Sequence, residues 1–342
     1  MSQFQYIREQ YLEQVLSLAH SVVSEYSGEN QPLSIMNHYH WSTGGKRLRA
    51  VLPLAVAHAL EHDPASILPF GAACEMIHNA TLVHDDLQDR DTKRRGKPTV
   101  WTAYGEPQAI NLGDAMFFYA LACVQKLETT PEKKCALVDR ITQSTLRVIA
   151  GQENEFKLQT ADTPTLTDYI TMVEGKTSGL FALPMAGASF LCDTPEHWTE
   201  TLQQVANHLG VLFQVQDDVL DMYGDKGRDQ KGSDIGEGKR SLMAVYAMEQ
   251  GRTEESKRLR EILDLPREET TEAHVEQAQA IFENTGALTF ALNTIRQRHN
   301  AAISAVESLD HSGLRTLVQE TCTVFTMPIA ELLESHQSVI EK

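Results

Sequence analysis

Apolar residues recur along this chain with the spacing of helices, and no stretch shows the strict alternation of a half-buried strand. The pattern restricts the fold to the all-α class. Breaks at Ser27-Gly28, Pro98, Gly251, Pro266, Gly286 and Gly313 divide the sequence into roughly ten or more helices. The first, over residues 4–27, aligns Phe4, Ile7, Tyr11, Val15, Leu18 and Val22 on one face. A helix starting near Pro107 carries Phe117, Phe118 and Tyr119, expected in the core, and one from Lys134 to Leu158 carries Gln152, Glu153 and Glu155, which could reach a metal but are expected to face water. No linker interrupts the 342 residues, so one large helical bundle over 1–342 is expected.

The densest chemistry lies between Glu75 and Thr99, where Asp85, Asp86 and Asp89 precede Arg94 and Arg95. On a helix Asp85 and Asp89 stand at i and i+4, where like charges repel by roughly 0.2–0.5 kcal/mol. A cation should therefore sit between them. An all-carboxylate donor set suits Mg²⁺, which keeps water or phosphate oxygens in its shell. Arg94 and Arg95, just past the helix end, offer forks that match such a phosphate.

The same DDxxD spacing returns as Asp217, Asp218 and Asp221, after an apolar helical run, with Gln214 on the face of the first pair and with Lys231 and Lys239 behind. Two such motifs facing one another could hold several Mg²⁺ ions and turn a diphosphate into a leaving group. A second anion cradle is suggested by Gly44-Gly45, followed by Lys46, Arg47 and Arg49 at a helix start. Gly175-Lys176-Thr177 lacks the upstream glycine and the strand of a phosphate-binding loop. Gly175 and Gly179 are instead expected to break their helix and expose carbonyl dipoles beside Lys176 and Thr177.

A formal net charge of −17 argues against nucleic acid as a partner. Cys74, Cys123, Cys135, Cys192 and Cys322 are scattered and lack metal-ligand spacing, as in reduced thiols of the cytoplasm. The polar N-terminus and the absence of a long apolar run lead to the expectation of a cytoplasmic protein that does not span a membrane. The sequon Asn79-Ala-Thr81 lies inside an apolar helix and is read as accidental.

GGKRLR at 44–49, HDDLQD at 84–89, RRGKPT at 94–99, GKT at 175–177 and FQVQDDVLD at 213–221 make the chain resemble the trans-isoprenyl diphosphate synthases, which make farnesyl, geranylgeranyl and longer polyprenyl diphosphates. The resemblance covers most of the chain. It implies the isoprenoid synthase bundle with a central metal-diphosphate cavity, about three Mg²⁺ ions, and a homodimer. Its substrates would be isopentenyl diphosphate and an allylic prenyl diphosphate. The metal role passes to Asp85, Asp89 and Asp217, with Asp86, Asp218 and Asp221 as supporting ligands or second shell. Lys46, Arg49, His78 and Arg95 would hold isopentenyl diphosphate, and Arg94, Lys176, Lys231 and Lys239 the allylic diphosphate; Lys176, Thr177 and Gln214 would face the developing carbocation. Two departures stand out: the loop after Asp221 is a residue short before its GSD turn, and the terminal ESHQSVIEK lacks a basic tail. Class I terpene cyclases share the fold and DDxxD, but they usually carry an Asn/Ser/Glu-type second motif and need no second diphosphate site. A regulatory subunit would generally have lost an aspartate motif.

In farnesyl synthases of the family, the fourth and fifth residues before the first aspartate often include a bulky aromatic. Here they are Thr81 and Ala80. The resemblance therefore implies a tunnel open past the farnesyl length and a geranylgeranyl product, closed further down by Met76, Ile77 or the Phe117-Phe118 helix. Farnesyl and longer polyprenyl products are the alternatives.

Overall fold

The computed structural model describes residues 2–224 and 232–340, nearly all of them helical. They form two compact units, the first of residues 1–145, 180–203 and 311–317, the second of 146–179, 204–310 and 318–342.

In the first unit, α1 (Gln3–Ser27), α2 (Pro32–Trp41), α3 (Leu48–Ala59), α4 (Leu68–Gln88), α5 (Val100–Tyr104) and α6 (Glu106–Gln125) follow in order. The core is built on α3, which is apolar apart from Arg49 and His58, is buried except for His58, and packs against α1 and α4. Gly71 allows that approach, because a Cβ there would stand 2.7 Å from the Ala50 carbonyl and 2.7 Å from Leu54 Cδ1. Asn79 in α4 is buried, which removes the sequon as a glycosylation site.

Three long helices, α7 (Pro131–Thr160), α8 (Leu166–Leu191) and α9 (Glu196–Tyr223), contribute residues to both units. The second unit adds α10 (Ser233–Gly236), α11 (Leu242–Gln250), α12 (Thr253–Leu263), α13 (Glu272–Thr285) and α14 (Ala287–Glu307). Here α11 packs on α12, α13 and α14. The chain closes with α15 (Ser312–Thr326) and α16 (Ala330–Ile340). Among the described residues no helix is long and apolar enough to cross a membrane, and the five cysteines are free thiols.

Four local expectations change. The basic segment after α4 is a hairpin, with Lys93–Arg94 paired to Lys97–Pro98, because Arg95 (φ 51°) and Gly96 (φ 79°) take the left-handed conformations of a tight primed turn. Phe118 is 71% exposed, so the aromatics of α6 are not all core. Glu155 does not face water: it pairs with Lys176. Finally, α8 runs unbroken through Gly175 and Gly179. Gly175 serves close packing instead, since its Cβ would fall 2.9 Å from Gly151 Cα, and a Cβ on Gly151 would fall 2.1 Å from the Lys176 nitrogen.

Burial is costly for two histidines, His20 in α1 and His40 in α2. His20 stacks on His38 at 4.3 Å and meets the edge of Trp41, while His40 bonds Asn79 at 3.1 Å. Burial, then His38 and Arg47, lowers His20 from 6.5 to about 4; burial, then Arg94, lowers His40 to about 3. Both stay neutral in the fold where the unfolded chain would bind protons. The contribution of these two histidines to stability is therefore complete above pH 6.5 and drains as pH falls from 6.5 toward 4 and 3. The thermal midpoint is expected to drop between pH 7 and pH 5, and less steeply in His20→Phe, which keeps the stack; identical slopes would refute the assignment.

Candidate active site

In the first unit, α4 carries the HDDLQD motif to its C-terminus. Asp85 lies in the last turn and Asp89 caps it, its N–H donating to the Asp85 carbonyl at 2.8 Å. The two carboxylates are one turn apart and partly exposed, as the spacing requires. Asp86 turns inward, 2% exposed, and accepts Arg94 Nε at 2.8 and 2.9 Å and Nη2 at 2.7 Å. Burial raises its carboxyl, and the bonds from Arg94 oppose that. Arg94 thereby ties the hairpin to α4 beside the acidic pair.

The cradle lies between α2 and α3. Gly44 and Gly45 have φ of 86° and 130°, and a Cβ on Gly45 would stand 2.6 Å from Arg95 Nη1, which donates to the Gly44 carbonyl. A side chain at Gly45 would be strained by that positive φ and would displace the guanidinium. Lys46 is exposed. Arg49 is buried with its guanidinium 4.3 Å over the Phe181 ring, and burial lowers it to about 10 against the pull of Glu75. His78 is held neutral by burial first, then by Arg49, Arg94, Arg95 and Arg47. Its Nδ1 is buried without a hydrogen-bond partner among the described residues. Arg47, expected among the cradle cations, instead turns inward to Glu75 at 3.0 Å.

The second unit holds the other motif near the end of α9. Asp217 is partly exposed, whereas Asp218 and Asp221 are buried. Asp218 accepts Gln214 Nε2 at 3.0 Å, the Tyr169 hydroxyl at 2.7 Å and the Leu242 N–H at 3.1 Å. Burial, then Asp234, pushes it up to about 7 against those three bonds. Asp221 accepts the Ser233 hydroxyl at 2.6 Å and the Asp234 N–H at 3.0 Å, anchoring the segment that enters α10. Thr177 donates to Gln214 Oε1 at 2.9 Å, so Thr177, Gln214, Asp218 and Tyr169 form one continuous network. Lys239 pairs with Glu237 at 2.5 Å and Asp234 at 3.5 Å. Lys231 lies outside the described residues.

Sequence reasoning missed Tyr169 and Glu75, and the partner of Glu155. Glu75 had a legible signal, a carboxylate amid the apolar run AACEMI. Tyr169 had none, because its partner Asp218 lies 49 residues away.

Asp85, Asp89 and Asp217 suit Mg²⁺ by their oxygen-only chemistry. Among the described residues, no three His, Cys, Asp or Glu side chains form a ready cage. Magnesium does not require one, because it retains waters and borrows substrate phosphate oxygens.

A family model described as polyprenyl synthetase matches residues 30–282. The chain belongs to this family. Among curated relatives, a geranylgeranyl pyrophosphate synthase of Geoglobus acetivorans is 30% identical over 307 residues, covering 89% of this chain and 93% of that protein. A short chain isoprenyl diphosphate synthase of Methanocaldococcus jannaschii is 36% identical over 222 residues, 64% of this chain and 67% of that one. The crystal structure of geranylgeranyl pyrophosphate synthetase from Pyrococcus horikoshii matches with a TM-score of 0.84 at 28% identity, over 94% of this chain and 97% of that one. The chain thus has the all-α isoprenoid synthase fold.

Proposed function

We propose that this protein condenses isopentenyl diphosphate with an allylic diphosphate, acting as one synthase domain over residues 1–342, with geranylgeranyl diphosphate as its main product. The observation that carries this reading is the split within the first unit. A partly exposed carboxylate pair, Asp85 and Asp89, ends α4, while a separate cradle of Lys46, Arg49, His78 and Arg95 lies beside carboxylates that are already engaged, Glu75 with Arg47 and Asp86 with Arg94. Two diphosphates need two anion sites, and only the one that must leave needs metal.

About three Mg²⁺ ions held by Asp85, Asp89 and Asp217 would supply Lewis-acid neutralisation of the leaving diphosphate. Asp86 and Arg94 brace the first pair; Asp218 and Asp221, engaged with the protein, orient the second motif. Arg94, Lys176 and Lys239 would hold the allylic diphosphate, each tempered by an acidic partner, and Lys231 is proposed to join them. The allylic C–O bond breaks with its electron pair on diphosphate, the isopentenyl double bond forms the new C–C bond, and a proton passes to the departed diphosphate. Thr177 and Gln214, fixed in their network, present oxygen dipoles to the cationic carbon.

Incubation with Mg²⁺ and an allylic diphosphate, with and without isopentenyl diphosphate, tests the reading by product chromatography. Elongated product only with both substrates is expected; a hydrocarbon product from the allylic substrate alone would point to a cyclase. Lys46→Ala and Arg95→Ala should each raise KM for isopentenyl diphosphate by roughly 10- to 100-fold, the equivalent of a charge-assisted bond. Equal increases for both substrates would contradict the two-site division.

The protein is further proposed to be a cytoplasmic homodimer. Support for the dimer comes from α6, where Ile110 (47% exposed) and Phe118 (71%) stand eight residues apart on one outward face. Phe118→Glu is expected to shift the sedimenting species toward monomer. An unchanged mass would remove α6 from the interface.

A further inference from the structure

We propose that Glu75 is a positioning residue that sets the geometry of the metal-free diphosphate cradle, an inference that rests on the two-site reading above. The first turn of α3 lacks an ordinary cap: Arg47 holds the N-cap position in a left-handed conformation (φ 53°, ψ 36°) and its side chain makes no capping bond. Glu75, from the middle of α4, takes over that task. Its Oε2 accepts the N–H of Ala50, the third residue of α3, at 3.1 Å, which is the donor an N-cap side chain would otherwise satisfy.

The other oxygen, Oε1, accepts Arg47 Nη1 and Asn79 Nδ2, each at 3.0 Å. Arg47 is fixed on its remaining side by the Trp41 carbonyl at 2.6 Å and by the Trp41 ring, 4.9 Å from its guanidinium carbon. Asn79 Oδ1 also bonds His40 at 3.1 Å, so the end of α2 and the start of α3 are both referred to α4 through one carboxylate.

This arrangement is poor as a device for stability. A buried ion pair gains little over apolar residues of similar volume, and a left-handed arginine adds strain. It does settle where the backbone of Arg47 lies, and Lys46 and Arg49 flank that residue in the chain. Turning Arg47 inward also keeps Glu75 from offering a bare carboxylate to an incoming diphosphate. Lys46 and Arg49 are then presented from a turn whose dihedrals are set by α4 and not by the anion.

The test is the affinity of the full chain for inorganic diphosphate in metal-free buffer, measured by calorimetry, together with KM for each substrate. Glu75→Gln should weaken diphosphate binding and raise KM for isopentenyl diphosphate by about tenfold, with the allylic KM within about twofold. The paired variant Arg47→Met with Glu75→Leu removes both charges and should recover the thermal midpoint without recovering the cradle. Wild-type diphosphate affinity in either folded variant would overturn the proposal, as would equal increases in both KM values. Wild-type protein that binds diphosphate without metal yet makes no isopentenyl-dependent product would instead defeat the functional reading, while the binding comparison still decides the role of Glu75.

Discussion

Asp85→Ala and Asp217→Ala are each expected to lower kcat by about 10³-fold or more, the equivalent of several kcal/mol of lost charge stabilisation at the leaving group. Helical circular dichroism should survive. Both carboxylates are partly exposed, and removing either leaves the buried networks intact, Asp86 with Arg94 in one unit and Asp218 with Tyr169 and Gln214 in the other. The neighbours provide the contrast. Asp86→Ala would remove the direct ion pair of the part-buried Arg94 guanidinium, and Asp218→Ala would strand the Tyr169 hydroxyl and the Leu242 N–H, so those variants should lose stability along with activity. Near wild-type turnover by Asp85→Ala or Asp217→Ala under saturating Mg²⁺ would show that the metal is held elsewhere.

Thr81→Phe is expected to move the main product from geranylgeranyl to farnesyl diphosphate while turnover continues. Thr81 lies one turn before Asp85, about 6 Å by helical rise, and Ile77 about 12 Å. A prenyl tail anchored at the aspartates and running along α4 would meet that side chain first. The structure refines the choice of variant. Ala80 is fully buried, so phenylalanine there would overpack the core, whereas Thr81 is only partly buried and its hydroxyl is satisfied by the His78 carbonyl at 2.8 Å. It also narrows what lies deeper: Met76 and Ile77 are buried, but Phe118 is mostly exposed and is no stop within this chain. An unchanged product distribution in an active Thr81→Phe protein would place the determinant of length on another helix.

Much of this protein was legible in one dimension because its signals are local. A 3.6-residue apolar period, DDxxD at the end of a helix and a glycine pair ahead of Lys46 each depend on neighbours within a turn or two. They suffice for the all-α class, for Asp85 and Asp89 one turn apart at the end of α4, and for a glycine pair with cations ahead of α3. Tertiary structure alone decided which member of each charged cluster faces solvent. Asp86, Asp218, Asp221 and Arg47 carry the same charges as Asp85, Asp217 and Lys46, yet they are buried against partners: Arg94, Tyr169, Ser233 and Glu75. Those partners lie 8, 49, 12 and 28 residues away. The physical reason is that burying a charge is tolerable only where the fold delivers a counter-charge or several donors to the same point, and that delivery depends on how helices pack, which no local spacing records.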